Sequence, residues 1–407
     1  MKEIVKEARL CTGCAACSQV CPRGAITMSA NEEGFLYPYI DEELCSNCGL
    51  CERTCPVNNA VKTAVEAGAK TSAKTGVKTS AEAGQNEINH KVYACYSRDE
   101  AIRSKSTSGG VFTQLALSVL ADGGVVFGAG FDSGFKVTHT YAENEKGLDN
   151  LRRSKYVQSD IANSFIEARD FLKAGRKVLF CGMPCQIAGL RAFLSHDYSG
   201  LLTCDLACHG VPSPKVWEMF LKYLQDTYKS EIKAVFFRDK STGWNDSSMK
   251  VEFKNGSRYI DRVKREIYSM GFGKSIFNRK SCYDCRFRMN NTKADITLAD
   301  FWGIDKRGEK EYSDNKGVSL IITHTDAGEQ ALRRIGENIC IKERSLDEAV
   351  RFNPRLVSSV AEPGGRCEFF DDMRTGLDFD RLRAKYMDNK SFKYKVKRMA
   401  KRLLGRG

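Results

Sequence analysis

The chain has 407 residues, 42% of them hydrophobic and 28% charged, and its 64 Lys and Arg outweigh 51 Asp and Glu for a formal charge of +13. That length holds two or three domains of roughly 100–200 residues, and the mix is globular rather than disordered. No stretch approaches the roughly 18 uninterrupted apolar residues of a membrane span, and MKEIVKEARL lacks a signal-peptide core, so a cytoplasmic protein is expected. The charge excess suits acidic partners without requiring nucleic acid. The 17 cysteines are the informative count. Without an export signal they point to reduced thiolates holding metal rather than to disulfides.

Two cysteine runs come first. Cys11, Cys14, Cys17 and Cys21 precede Pro22, and Cys45, Cys48, Cys51 and Cys55 precede Pro56. Both fit C-x2-C-x2-C-x3-C-P, the spacing of bacterial two-cluster ferredoxins. The first three cysteines of a run wrap one cubane, and the fourth reaches the other. One 4Fe–4S cluster is therefore assigned to Cys11, Cys14, Cys17 and Cys55, and the second to Cys45, Cys48, Cys51 and Cys21. Gly13 and Gly49 admit close backbone approach to cluster sulfur. Between the runs, ITMSANEEGFLYPYID reads as a hairpin turning at Glu33–Gly34. Zinc sites normally use two separated C-x2-C pairs instead. Residues 1–57 are read as a ferredoxin-like module of βαβ type.

Residues 58–90 are dominated by Ala, Lys, Thr, Gly and Ser, and AKTSAKTGVKTSA half-repeats itself. This predicts a flexible or weakly helical linker. A coil of that length spans about 30 Å, so it is either a tether that lets the module dock or a surface insertion with no role. From Lys91 onward, KVYACYS, VVFGAGF, KVTHTYAE, KVLFCG, LLTCDL, ADITLADFWGI and GVSLIITH read as strands, with KAVFFRD and MKVEFKNG as an antiparallel pair. Helices are predicted after Ser106–Gly110, in IANSFIEARDFLKAG, after CGMPC, after VPSPK and in DAGEQALRRIGE. Repeated strand–loop–helix units make the fold class mixed α+β and α/β, a small cluster module followed by a larger α/β body. The body is divided into 91–175 and 176–370, with a tail at 371–407.

One hydroxyl-rich turn and three cysteine-bearing turns in the body carry chemistry. Ser106–Gly110 is a hydroxyl- and glycine-rich loop opening a helix, suited to a phosphate or to plain capping. Cys181-Gly182-Met183-Pro184-Cys185 and Cys204-Asp205-Leu206-Ala207-Cys208-His209 each follow a strand, where open α/β sheets place ligands. Cys282-Tyr283-Asp284-Cys285 follows the basic loop GFGKSIFNRKS. The three favour a third cluster over a redox dithiol. Cys95, Cys340 and Cys367 lack partner spacing and read as structural.

STSGGVFTQL, RRSKYVQSD, CGMPCQIAGLR, CHGVPSPKVW, FRDKSTGW, CYDCRF and ADITLADFWGI, in that order from Tyr93 to Arg366, resemble the beta subunit of coenzyme F420 hydrogenases and dehydrogenases. The resemblance implies an iron–sulfur flavoprotein oxidoreductase with bound FAD and a 4Fe–4S cluster in the body. Carried onto this chain, the flavin residues are Ser108, Gly109, Gly110, Lys155, Tyr156, Gly182 and Pro184. The body cluster falls to Cys185, Cys208, Cys282 and Cys285, while Cys181 and Cys204 are extra to the pattern. It further implies electron flow between the clusters and FAD, and onward to a deazaflavin or other conjugated small molecule. The alternative is a non-catalytic electron-transfer subunit serving a ferredoxin or hydrogenase-type partner protein, a role associated in some relatives with polysaccharide synthesis. Substrate and catalytic residues stay unassigned.

The remaining features have plain readings. His209 is expected to satisfy a backbone carbonyl, Trp244 and Trp302 to be core, and Arg152, Arg153 and Lys155 to form either a solvated basic face or an anion contact. In SFKYKVKRMAKRLLGRG, residues Phe392, Val396, Met399, Ala400, Leu403 and Leu404 fall on one helical stripe opposite a basic face. Such a helix suits an acidic partner, the body, or the inner face of a membrane.

Overall fold

The computed structural model describes residues 4, 5, 7–60 and 90–388. The linker from 61 to 89 and the basic stripe from Ser391 onward lie outside the described residues. Among those described, no helix is long and apolar enough to cross a membrane.

The cluster module is a two-stranded antiparallel hairpin, β1 (Ile26–Ala30) with β2 (Leu36–Ile40), between two one-turn helices, Ala16–Val20 and Leu50–Thr54. Its turn closes as the sequence predicts. Gly34 takes φ +86° and donates to the Asn31 carbonyl at 2.8 Å, while the Asn31 side chain accepts from Phe35 N at 2.9 Å. Residues 56–60 are helical, so ordered structure runs three residues into the expected linker.

The body is built on a mixed eight-stranded sheet. Its strands are β3 (Lys91–Ser97), β4 (Val125–Phe131), β5 (Val137–Ala142), β6 (Val178–Cys181), β7 (Leu201–Leu206), β11 (Ile296–Asp300), β12 (Ser319–Thr323) and β13 (Ile339–Arg344), in the order β13-β3-β12-β11-β7-β6-β4-β5. A smaller antiparallel sheet joins β8 (Ile232–Asp239), β9 (Ser248–Phe253) and β10 (Arg258–Arg262). In the large sheet β4, β6, β7 and β11 are parallel, and β3 runs with them because both β3 and β11 pair antiparallel to β12. Their carboxyl ends therefore share one edge, where the connecting turns converge.

Local chemistry sets the helices that follow. Pro184 begins the Pro184–Leu194 helix, and the Gln186 side chain caps it by accepting from Met183 N at 2.8 Å. Ser213 caps Pro214–Tyr228, whose stripe of Val216, Trp217, Phe220, Leu221 and Leu224 is buried. Residues expected to begin the tail are packed instead. Met373, Phe379, Leu382 and Met387 join the aromatic core around Trp217, Phe220 and Tyr268.

Candidate functional site

The cysteines of the module separate into two environments. Cys11, Cys14, Cys17 and Cys55 line one cavity of about 330 Å³, so the fourth cysteine of the second run stands with the first three of the first run. Burial pushes the Cys14 thiol up to about 12 and Cys17 well above the ordinary thiol range. The other set lies farther out: Cys21, Cys45 and Cys51 are half-buried and Cys48 is exposed. The Leu50 amide hydrogen bond holds the Cys48 thiol below its ordinary value.

In the body, Cys185, Cys208, Cys282 and Cys285 line a second cavity, about 600 Å³ including its mouth. Three segments bring them together. Cys185 sits in the first turn of the Pro184–Leu194 helix, Cys208 follows β7, and the bridge between Pro212 and Asn278 ties the Cys282–Cys285 segment alongside. Backbone amides aim at two of the sulfurs: Gly210 N donates to Cys208 Sγ at 3.3 Å and Val211 N to Cys282 Sγ at 3.4 Å. Burial pushes Cys208 up to about 12, Cys282 up to about 11 and Cys185 well above the usual range. For Cys282 the Val211 hydrogen bond and the Arg279 charge offset part of that rise.

The donor set fits a cubane. Four thiols from three segments surround a volume, with amides directed at sulfur as cluster sites require. Among the described residues no three His, Cys, Asp or Glu converge on a single ion position. Cys181 and Cys204 lie away from this cavity, as register partners on β6 and β7 in the core of the sheet.

The two cavities touch. Thr12 lines both. Cys14 Cβ and Sγ each lie 3.0 Å from where a Cβ on Gly189 would stand, one helical turn beyond Cys185. Around this contact the module is fastened to the body. Arg279 donates to Cys11 O at 2.7 Å and Leu36 O at 2.9 Å, Gln158 to Thr12 O at 3.0 Å, and Phe165 N to Gln19 Oε1 at 3.0 Å. Farther along the hairpin, Arg366 makes a bidentate pair with Glu33 at 2.9 and 2.6 Å.

The residues carried over for flavin lie along the same sheet edge, held by protein partners. Ser108 donates to Val318 O at 2.9 Å, and Gly109 N to Ser319 Oγ at 3.0 Å. A Cβ on Gly109 would meet Cys95 O at 2.5 Å, so strand packing already demands that glycine. Gly110 takes φ +93° at the helix start. Lys155 donates to Arg152 O at 2.9 Å, Tyr156 O accepts from Tyr268, and Gly182 N donates to Cys204 O at 3.0 Å. Burial, and next the Arg153 charge, push Lys155 down to about 7. Only Pro184 of this set lines the 600 Å³ cavity. Ser108, Gly109, Lys155 and Gly182 thus have protein partners for the groups named here.

The residues given plain readings have mixed surroundings. His209 meets the Ser275 hydroxyl at 3.0 Å and the ring of Phe272. Trp244 and Trp302 stack at 4.9 Å within the core around β12. Arg152 is buried against Asp149 at 2.6 Å rather than solvated, while Arg153 is exposed. The sequence reading passed over Arg279, Arg288, Arg355 and Asp205, all on the cavity wall. Asp205 sits in the turn already singled out, and burial raises its carboxyl to about 7.

Comparison with known proteins gives three matching family models. Residues 10–59 match the 4Fe-4S dicluster domain. Residues 92–165 and 175–349 match the coenzyme F420 hydrogenase/dehydrogenase beta subunit, N-term and C terminus respectively. No curated protein matches the chain. Among solved structures it is similar to a chain of the F420-reducing NiFe hydrogenase complex from Methanosarcina barkeri, determined with xenon derivatization. The identity is 16% and the TM-score 0.46, over 72% of this chain and 96% of that one. The chain is an iron–sulfur protein of the coenzyme F420 hydrogenase/dehydrogenase beta-subunit family, with a 4Fe-4S dicluster domain ahead of the family region.

Proposed function

We propose that the chain is the electron-transfer unit of an oxidoreductase and conducts electrons between its surface and the carboxyl edge of the large sheet. Cys21, Cys45, Cys48 and Cys51 would hold an outer 4Fe–4S cluster, Cys11, Cys14, Cys17 and Cys55 a middle one, and Cys185, Cys208, Cys282 and Cys285 an inner one. Such clusters, when bound, supply one-electron transfer. The chain's own residues set the order and exclude water. The exposed Cys48 marks the outer end, and Thr12 forms a wall common to the middle and inner sites. That shared wall is the observation that carries the reading.

FAD belongs to the proposal through family membership alone, as the group that converts single electrons to pairs. The acceptor class is a deazaflavin or another conjugated small molecule, and a separate partner subunit is the alternative recipient. The test is anaerobic reconstitution of the full chain, followed by iron and flavin analysis and a panel of acceptors with dithionite as donor. About twelve irons, four per cubane, with turnover of a small acceptor would support an enzyme. The same iron with bleaching but no turnover until a partner is added would support the carrier. About eight irons would remove the inner cluster and leave a dithiol at Cys282 and Cys285.

A further inference from the structure

Arg279 has no exposed surface, and among the described residues it has no carboxylate within ion-pair distance. Its guanidinium meets only neutral acceptors: Cys11 O at 2.7 Å, Leu36 O at 2.9 Å and Gln158 Oε1 at 3.2 Å. The rings of Tyr37 and Phe35 lie at 4.1 and 5.4 Å. Two acids of this region are committed elsewhere. Glu33 is paired with Arg366, and Asp205, the one carboxylate lining the body cavity, receives the hydroxyls of Thr292 and Thr297. A buried cation in this condition is costly unless an anion stands nearby. Arg279 bonds to the carbonyl of Cys11 and lines the cavity of Cys185, Cys208, Cys282 and Cys285. It therefore lies between the middle and inner thiolate sites.

We infer that Arg279 is a potential-setting positioning residue, a single fixed positive charge that serves as counter-ion to both the middle and the inner cluster. This rests on the cluster assignments above. Four thiolates give a cubane a net negative charge, and reduction adds another. A fixed cation beside it favours the reduced form and raises the potential. The same charge thereby shifts both neighbouring sites in the same direction. The outer cluster is outside its influence and serves as an internal reference.

The test is an electron-paramagnetic-resonance redox titration of the reconstituted full chain, comparing wild type with Arg279→Gln, Arg279→Lys and Gln158→Glu. Removing the charge in Arg279→Gln should lower the reduced-to-oxidised ratio of the middle and inner clusters at fixed potential at least tenfold. That is about 59 mV for one electron, and the outer cluster should not move. Arg279→Lys, which keeps the charge, should recover most of the shift. Gln158→Glu leaves Arg279 in place and hands it a carboxylate, so it should lower both potentials in the same direction. If Arg279→Gln fails to load iron, Gln158→Glu decides alone. Unmoved potentials in an iron-replete Gln158→Glu, or a Lys variant as far displaced as the Gln variant, would overturn the inference. Wild type lacking a third titrating cluster would instead overturn the cluster assignment.

Discussion

The two halves of the cluster module share one ligand spacing and one backbone, yet they occupy opposite environments. Gly13 of the first run stands where Asn47 stands in the second, and Gly49 where Ala15 stands in the first, and all four take positive φ, +68°, +56°, +68° and +59° respectively. A Cβ on Gly13 would stand 2.8 Å from Arg279, 3.0 Å from Gln158 and 3.0 Å from Leu36 O, whereas one on Gly49 would meet only its neighbour Arg53 at 3.2 Å. Cys14 is buried against the body, and Cys48 is exposed. The duplicated ligand spacing thus faces the body in one run and solvent in the other. Spacing specifies the cofactor. Surroundings specify its place in the relay.

Cysteine substitutions should break that symmetry most visibly. Cys14→Ser and Cys48→Ser should each lose iron from one cluster, about four per cubane. Cys14→Ser should lower the thermal stability of the body further than Cys48→Ser, because Cys14 packs into the core containing Phe165, Phe180 and Leu190. Equal melting shifts in the two variants, followed by anaerobic circular dichroism, would erase the distinction. A smaller effect belongs to the hairpin. Glu33→Gln strips the buried Arg366 of its carboxylate and should cost about 3 kcal/mol in urea unfolding. Glu32→Gln, whose partner Arg374 is exposed, should leave the midpoint unchanged. The glycines give the finest comparison. Both Ala variants bear the left-handed penalty of roughly 1–2 kcal/mol, but Gly13→Ala adds overpacking and should be about 2 kcal/mol worse than Gly49→Ala. A matched pair of unfolding curves reads that difference directly.

What could be read in the sequence follows the range of the interactions involved. The two cysteine runs, the Glu33–Gly34 turn and the β3 to β7 alternation depend on residues close in the chain, and each is found where the pattern puts it. β13 escaped notice because ICIKER is an edge strand with mostly exposed side chains, so it lacks the apolar run that marks its neighbours. Arg279 escaped for a different reason. In GFGKSIFNRKS it is one basic residue among several, and the carbonyls that bury it belong to Cys11 and Leu36, more than 240 residues earlier. Of six body cysteines in turns, the four that the family resemblance selected line the cavity, and the register gives the physical reason. Cys181 and Cys204 face each other across two strands, while Cys185 stands a helical turn beyond the sheet edge.

Phe35 carries the last consequence. It belongs to the hairpin of the cluster module, yet it is fully buried beside Val216, Trp217, Phe369 and Phe370 of the body. Ser213, which caps the helix bearing Trp217, also donates its hydroxyl to the carbonyl of Glu33. The part of the chain that binds the first two clusters is thereby a structural member of the rest. Excising it would leave an aromatic socket open to water, and exchanging it for an unrelated ferredoxin would require a side chain of the same shape at the tip of the same turn. Unfolding should accordingly proceed as one cooperative transition across both regions, and oxidative loss of iron from the module would weaken the whole molecule rather than detach an accessory.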